Sequence, residues 1–256
     1  MGPWQALAVF AAGIGAGAIN AVVGSGTLLT FPTLLALGYA PVTANVSNNI
    51  GLVFGGITAT LGYRRELEGQ GRRLARLVPL SLAGSVTGAL LLLRLPASAF
   101  AAIVPVLIGI SVVLVLAQPR IAAAVQRRRR DAGRHDDDRV GVPASIGTLL
   151  AGVYGGYFGA AQGVLLIGIL GAVLTESLQR VNAAKNLLSL VVNLVAAVTF
   201  LVVRPQAVDA LVVVLIAVGS LLGGMLGARV GRALSPTVLR LVVALVGVVA
   251  IVRLVL

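Results

Sequence analysis

Long apolar runs alternate with short polar stretches along the whole chain. A helix needs about 20 apolar residues to cross a hydrocarbon core of about 30 Å, and in lipid its backbone groups are paired within the segment. Apolar and polar residues do not alternate with the period of two that a wet barrel requires. The pattern therefore predicts an all-α, polytopic helical membrane protein. Its eight apolar segments lie at 4–36, 42–62, 75–94, 98–118, 143–175, 181–203, 207–228 and 236–255.

The first and fifth segments are too long for ordinary spans. Each has about 33 residues, and one continuous helix of that length would extend about 50 Å. Glycines interrupt both near the middle, at Gly24-Ser25-Gly26 in the first and at Gly155-Gly156, Gly159 and Gly163 in the fifth. We therefore expect a glycine-broken helix or a re-entrant hairpin at both places.

The two overlong segments begin two similar halves. Each half runs as a glycine-broken segment, an asparagine-bearing helix, a helix with small residues and a final helix. The chain thus divides into a first membrane repeat (1–118), a hydrophilic, cytoplasmic linker (119–142) and a second membrane repeat (143–256). Within the linker, the run Arg127–Arg130 followed by Arg134 and Asp136–Asp138 predicts a solvated, flexible loop. A shift of 137 positions pairs Gly26, Asn45 and Asn49 with Gly163, Asn182 and Asn186, and a shift of 135 pairs Gly84-Ser85 and Gly88 with Gly219-Ser220 and Gly223. Such duplication is usual in secondary transporters.

The distribution of basic residues bears on orientation. If both overlong segments cross the membrane, the halves are parallel and the basic residues divide 14 inside to 6 outside. If both are re-entrant, each half has three crossings, the halves are inverted and the division is 17 to 3. Because cytoplasmic loops carry the excess of Lys and Arg, the count favours inverted halves, with the parallel arrangement as the alternative.

Composition narrows the class further. Hydrophobic residues make up 58% of the 256 residues and charged residues 11%, against about 25% charged in soluble domains. The net charge of +12 comes from arginines between the apolar segments, so it indicates membrane topology and not nucleic-acid binding. The chain has no cysteine and one histidine, His135, and we expect no metal and no cofactor.

The motifs resemble those of the sulfite exporter TauE/SafE family. They are GIGAGAINAVVGSGTLLTFP at Gly13–Pro32, ANVSNN at 44–49, GYRR at 62–65, GGYFGAAQG at 155–163 and RVNAAKN at 180–186. The resemblance extends over essentially the whole chain. It implies a multi-pass permease of the bacterial cytoplasmic membrane, with sulfite, sulfonates or related small anions as its substrate class.

The helix breaks are candidate substrate-binding elements. Where the second half of a broken helix begins, free N–H groups and the helix dipole favour an anion. We therefore expect an anion to be bound by Ser25, Gly26 and Thr27 from the first repeat and by Gln162 and Gly163 from the second. Close helix packing is the alternative role for these glycines, and it suits Gly13/Gly17, Gly84/Gly88 and Gly219/Gly223/Gly227 well.

Amides recur beside both breaks. Asn45 and Asn49 are four residues apart, as are Asn182 and Asn186, so each pair lies on one face of its helix. These amides either donate to the anion or hydrogen-bond a neighbouring helix.

Lys185 is the only lysine in the chain and lies about one turn inside an apolar segment. An ionisable group at such a depth is by default a functional candidate. It would attract the anion or pair with Glu176, whereas snorkelling to the interface is the structural alternative.

These features favour a transporter of small anions in a lipid bilayer. A passive anion channel and a membrane scaffold remain alternatives. An intramembrane enzyme is disfavoured, because Lys185 with Ser189 is the only Ser–Lys arrangement within the spans and no strained nucleophile turn accompanies it. The pattern is also compatible with a homo-oligomer.

Overall fold

The computed structural model describes residues 1–131, 140–174, 176–230 and 236–255. These residues form eleven α-helices and one 3-10 turn, and no strand occurs among them. The helices are α1 (Pro3–Val22), α2 (Thr27–Ala36), α3 (Pro41–Gly62), α4 (Arg64–Leu67), α5 (Gly71–Arg94), α6 (Ala97–Asp131), α7 (Val142–Tyr157), α8 (Gln162–Val173), α9 (Leu178–Val203), α10 (Ala210–Val230) and α11 (Pro236–Val255), with the 3-10 turn at Pro205–Ala207 between α9 and α10. The predicted all-helical fold is confirmed.

Polar and apolar residues are distributed as expected for a protein in lipid. Five helices of the described chain are long and apolar enough to cross a membrane: α1, α5, most of α6, α9 and most of α10. Their outer faces expose large apolar side chains, among them Val113 and Val202. The interior holds polar residues, including Asn48, Ser85 and Lys185, each at most 1% exposed. The chain is a multi-pass membrane protein.

Both overlong segments are broken where their glycines lie. The first hairpin consists of α1 and α2, and the second of α7 and α8. In the first, Leu29 of α2 lies against Gly15 of α1. In the second, Ile169 of α8 lies against Gly147 of α7. The second arm therefore turns back along the first in each case, and the predicted helix breaks are confirmed.

Left-handed backbone produces the two turns. Gly24 has φ +85° and Gly159 has φ +79°, values that glycine adopts without steric cost. Ala161 precedes α8 with φ +60°, a conformation that costs an alanine roughly 1–2 kcal/mol. A left-handed glycine thus follows the first arm of each hairpin, and in the second hairpin a strained alanine also precedes the second arm.

Small residues allow the helices to pack closely, and in each half they pack against a helix of the other half. Gly84 of α5 packs on α7 of the second repeat, and Gly219 of α10 packs on α1 of the first. The hydroxyl of Ser85 donates to Val192 O of α9 at 2.7 Å, and that of Ser220 donates to Gly51 O of α3 at 2.9 Å. The residue pairs of the sequence repeat therefore occupy corresponding positions, each on the other half. For Gly13/Gly17, Gly84/Gly88 and Gly219/Gly223/Gly227 the packing interpretation is confirmed.

The register of these contacts gives the helix directions. Contacts of α10 with α1 and α3 advance together in residue number, from Gly13 against Ile216 to Gly17 against Gly224 and from Gly51 against Ile216 to Gly55 against Ser220. These three helices are parallel, and contacts of α5 with α7 and α9 show a second parallel group. Helices α3 and α9, one from each group, run antiparallel. Asn49 contacts Asn193, whereas Gly56, further along α3, contacts Leu190, which lies earlier in α9.

The flexible loop predicted within the linker differs in part from the structure. Helix α6 continues through residues 119–131, so the arginine run 127–130 is helical and its interpretation as a flexible loop is wrong. Alanine, glutamine and arginine are strong helix formers, and the sequence from Ile121 to Arg130 consists of them almost entirely. The remainder of the loop prediction, with Arg134 and Asp136–Asp138, falls on residues 132–139, outside the described residues.

Candidate functional site

The tips of the two hairpins touch. The backbone N–H of Gly163, at the start of α8, donates to Gly24 O at 3.1 Å. A Cβ atom added at Gly24 would lie 2.6 Å from Gly163 Cα, which is closer than real Cβ contacts allow. Glycine at both positions therefore permits the two helix breaks to meet.

A small polar cavity lies beside this contact. Its volume is about 30 Å³, enough for one or two water molecules. An oxyanion with three or four oxygens is larger, so binding one requires the surrounding side chains or hairpins to move. The polar side chains that line the cavity are Asn20, Thr27, Gln162, Asn186, Ser189 and Asn193.

Two polar groups of this cavity have no hydrogen-bond partner in the described structure. They are the amide nitrogen Nε2 of Gln162 and the hydroxyl oxygen of Ser189, both buried. Buried polar groups are nearly always hydrogen-bonded, so each exception needs an explanation. Both groups can donate a hydrogen bond, and a bound anion would accept from them.

Three side chains of α9 donate to the end of α1. Lys185 Nζ donates to Asn20 O at 2.8 Å, and the amides of Asn182 and Asn186 donate to Ala21 O at 3.1 and 3.5 Å. The last carbonyls of a helix have no partner within it, and the dipole makes this end partly negative. Lys185 and the two amides therefore cap α1 where it breaks.

The first repeat provides the reciprocal cap. The amide of Asn45, on α3, donates to Tyr157 O at the end of α7 at 3.0 Å. Asn45 and Asn182 are paired by the sequence repeat, so each half caps the first arm of the other half's hairpin. The alternative prediction that these asparagines hydrogen-bond a neighbouring helix is confirmed for both residues.

Lys185 is fully enclosed. It is 1% exposed, and its stem passes behind the touching glycines, where a Cβ added at Gly163 would lie 2.9 Å from Lys185 Cδ. Its amino group points to a carbonyl and not to the interface, so the snorkelling interpretation is wrong. Within the described residues no carboxylate pairs with it.

The predicted site residues fall into two groups. Thr27, Gln162, Gly163 and Asn186 line the cavity. The others do not line it. Gly26 N donates to the side chain of Asn20 at 2.7 Å, and the Asn49 amide donates to the cavity residue Asn193 at 3.4 Å. Ser25 is buried with its hydroxyl unpartnered, and the helix caps are formed by Asn45, Asn182 and Lys185.

The N–H groups expected to be free at the start of α8 are already bonded. Gln162 N donates to Gly159 O at 3.3 Å, and Gly163 N donates to Gly24 O. The tight turn and the contact between the hairpins use these donors, so that detail of the prediction is wrong. At this end of the cavity the available donor is the Gln162 side chain.

Sequence reasoning missed two of the cavity's amides, Asn20 and Asn193. Asn20 is the last polar residue before the first break, and Asn193 lies seven residues after Asn186. Positions 186, 189 and 193 share one helix face. That spacing was the available signal for the polar face of α9.

A charged cluster joins the start of α9 to the start of α5. Glu176 accepts from Arg73 at 3.0 Å and from Arg180 at 2.6 Å, so the predicted alternative of a Glu176–Lys185 pair is wrong. Gln70 donates to Arg180 O at 3.1 Å. Burial alone would raise the pKa of the Glu176 carboxyl, but hydrogen bonds from Arg180 and Arg73, with their charges, bring it below its usual value.

The lowered pKa predicts a pH-dependent contribution to stability. An ionised Glu176 stabilises the fold above the ordinary glutamate pKa of 4.5, and the contribution is lost as the pH falls through the lower folded value. We expect Glu176→Gln to lower the Tm of purified protein at pH 7, by the equivalent of about 1 kcal/mol after allowance for solvent screening, and to have a progressively smaller effect as the pH falls below 4.5. Glu68→Gln, at an exposed position, is the control. A Tm difference that does not depend on pH would contradict the stabilising role given to the ionised Glu176 carboxylate.

Comparison with known proteins agrees with this architecture. A family model described as sulfite exporter TauE/SafE matches residues 9–254. Probable membrane transporter protein YfcA of Escherichia coli K12 is 30% identical over 184 residues, which are 67% of this chain and 64% of the relative. Probable membrane transporter protein ORF9 of Sinorhizobium sp. is 33% identical over 100 residues, 39% of this chain and 38% of the relative.

The matches therefore span less than two thirds of the length of these relatives. No solved structure matches the chain. The family match includes both hairpins, both asparagine-bearing helices and the cavity between them, and the resemblance seen in the motifs is confirmed. The chain belongs to the sulfite exporter TauE/SafE family.

Proposed function

We propose that this protein transports small anions across a bacterial cytoplasmic membrane, and that sulfite, organosulfonates or related sulfur-containing oxyanions are its substrates. The family description supports the substrate class, and two relatives named as probable membrane transporters support the activity. The anion would bind between the tips of the two hairpins.

The observation that carries the proposal is the enclosed ammonium of Lys185. A buried charge is costly unless it is paired. Lys185 has one carbonyl partner and, in the described chain, no carboxylate. It lies behind the glycines where both helix breaks meet. A bound anion would balance this charge, whereas a cation or a neutral solute would not.

The cavity supplies the donors that such an anion needs. Gln162 Nε2 and Ser189 Oγ are unpartnered, and α2 and α8 both begin at the cavity, with Thr27 and Gln162 as their first residues. Their dipoles direct partial positive charge towards it. Amide and hydroxyl groups donate the hydrogen bonds that the oxygens of such an anion accept.

We further propose that the two halves are inverted in the membrane. The antiparallel course of α3 and α9 supports this arrangement, since these are the first helices after the two hairpins. The reciprocal caps from Asn45 and Asn182 support it as well. The two hairpins would then approach each other from opposite sides of the bilayer.

Reporter fusions test the inverted arrangement. We expect a fluorescent protein fused after Arg180 to be active, because this point would lie in the cytoplasm, and alkaline phosphatase fused after Leu256 to be active in the periplasm. Each fusion point is also tested with the other reporter, which should be inactive there. The opposite result at both points would support parallel halves.

Flux into liposomes tests the transport activity. Purified protein is reconstituted and supplied with labelled sulfite, sulfoacetate and a panel of other small anions, with and without proton and sodium gradients. We expect saturable uptake of at least one sulfur oxyanion. Uptake that does not saturate and does not depend on either gradient would indicate a passive channel. If the protein stimulated the flux of no anion, transport would be contradicted and the scaffold would be the remaining alternative.

A further inference from the structure

A recess of about 580 Å³ lies where α3 and α10 end, beside α4. Three guanidinium groups line it, those of Arg64, Arg65 and Arg229, together with one carboxylate, Glu66. The recess is open, and all three arginines are exposed. Its formal charge is therefore positive, and its volume exceeds that of a small oxyanion.

These arginines differ from their neighbours in the same region. Arg73 and Arg180 share the carboxylate of Glu176 at 3.0 and 2.6 Å. In the part of the chain that the structure describes, Arg64, Arg65 and Arg229 form no ion pair. The arginines beside the recess are thus paired with a carboxylate, whereas the three arginines that line it keep their charge available. Arginines that served only to orient the helices in the membrane would not need this difference.

Helix α3 connects the recess to the polar cavity. Thr58 lines the recess, whereas Gly56 and Ala59 line the cavity. The two spaces therefore lie along consecutive residues of one helix, on either side of its last turns. An anion held at the arginines would therefore lie beside the helix that also lines the cavity.

We propose that the arginine-lined recess is a second, weaker anion site, a vestibule that collects the substrate anion at the mouth of the path to the cavity. This inference rests on the proposed function. Like-signed charges in a concave surface raise the local concentration of a counter-ion and its rate of association by about 10-fold or more. The vestibule would accordingly lower KM and leave the transport step unchanged.

Chemical labelling tests binding without reference to flux. Purified protein in vesicles of neutral lipid is treated with the arginine reagent phenylglyoxal, with and without sulfate, and adducts are located by mass spectrometry. We expect sulfate to slow labelling of Arg64, Arg65 and Arg229, while labelling of Arg72 and Arg76, exposed at the same side of the membrane, stays unchanged. Equal slowing at all five, an effect of ionic strength, would overturn the site.

A lipid headgroup could supply the same oxyanion chemistry, so the labelling is repeated in vesicles that contain phosphatidylglycerol. Protection by this lipid, with no added protection by sulfate in either kind of vesicle, would assign the recess to the bilayer and overturn the vestibule. Protection by sulfate in neutral vesicles supports it.

Kinetics then separate capture from transport. We expect the triple variant R64Q/R65Q/R229Q to raise the KM for the transported anion about 10-fold, with maximal rate within about two-fold of wild type. The triple lysine variant, which keeps charge and topology, should retain a KM close to wild type. If the glutamine variant has an unchanged KM while the wild-type protein transports the anion, the vestibule is overturned and the proposed transport function stands. If the wild-type protein shows no flux, the proposed transport function itself is contradicted.

Discussion

Lys185→Met is expected to abolish anion flux while the protein still folds and inserts. Methionine keeps an unbranched apolar stem behind Gly24 and Gly163 but removes the charge and the donor to Asn20 O. Removing one member of a buried charge pair costs about 2–5 kcal/mol of binding, a loss on the order of 30-fold or more in affinity for the anion. The Tm should fall only moderately, because losing the donor to Asn20 O costs about 1–3 kcal/mol, and removing a charge from the interior offsets part of that cost.

The measurement is the initial rate of uptake into liposomes, divided by the amount of folded protein. Lys185→Ala should lose flux equally, and with it the packing of the stem, so comparing the alanine and methionine variants separates charge from packing. Lys185→Arg keeps the charge and should retain part of the flux. Normal flux in the methionine variant, with membrane levels equal to wild type, would remove Lys185 from the transport mechanism.

The second large effect is expected at the contact between the hairpins. Gly24→Ala adds a Cβ that would lie 2.6 Å from Gly163 Cα, at a backbone φ of +85°. The hairpin tips must separate to accommodate it, which would displace Gln162 and Thr27 at the cavity. We expect flux to fall below detection and the Tm to drop sharply.

Gly38→Ala is the matched control. Gly38 has nearly the same φ, +87°, but a Cβ there would meet no atom within 4 Å. It therefore incurs only the backbone strain, roughly 1–2 kcal/mol, without a collision. Flux per folded molecule should remain close to wild type for Gly38→Ala. Equal losses in the two variants would mean that left-handed backbone, and not the contact between the tips, decides the outcome at Gly24.

Local physics made much of the architecture predictable. Apolar runs of spanning length indicate helices in lipid, and glycine at Gly24 and Gly159 marks the two turns because the chain needs left-handed backbone there. The repeat was detectable for the same reason, since asparagines and small residues recur wherever helices must approach closely. The helical state of residues 119–131 was not predicted, because their hydrophilic composition indicated a loop and outweighed the helix propensity of alanine and arginine.

Pairings between distant segments were not predictable. Nothing local indicates that the amino group of Lys185 meets Asn20 O, 165 residues earlier, or that Glu176 is occupied by Arg73 and Arg180. The cavity residue Asn193 was missed for the same reason, because its role depends on which helix face turns inward. These contacts depend on how the two halves pack, and a single sequence does not contain that geometry.

The exchange of caps between Asn45 and Asn182 has an evolutionary consequence. Each asparagine completes a helix end that belongs to the other half, so each half stabilises a helix end of the other. A substitution of either asparagine destabilises the helix break in the other half, and selection therefore acts on the two halves together. Compensating changes for a weakened break should consequently arise in the half that does not contain it.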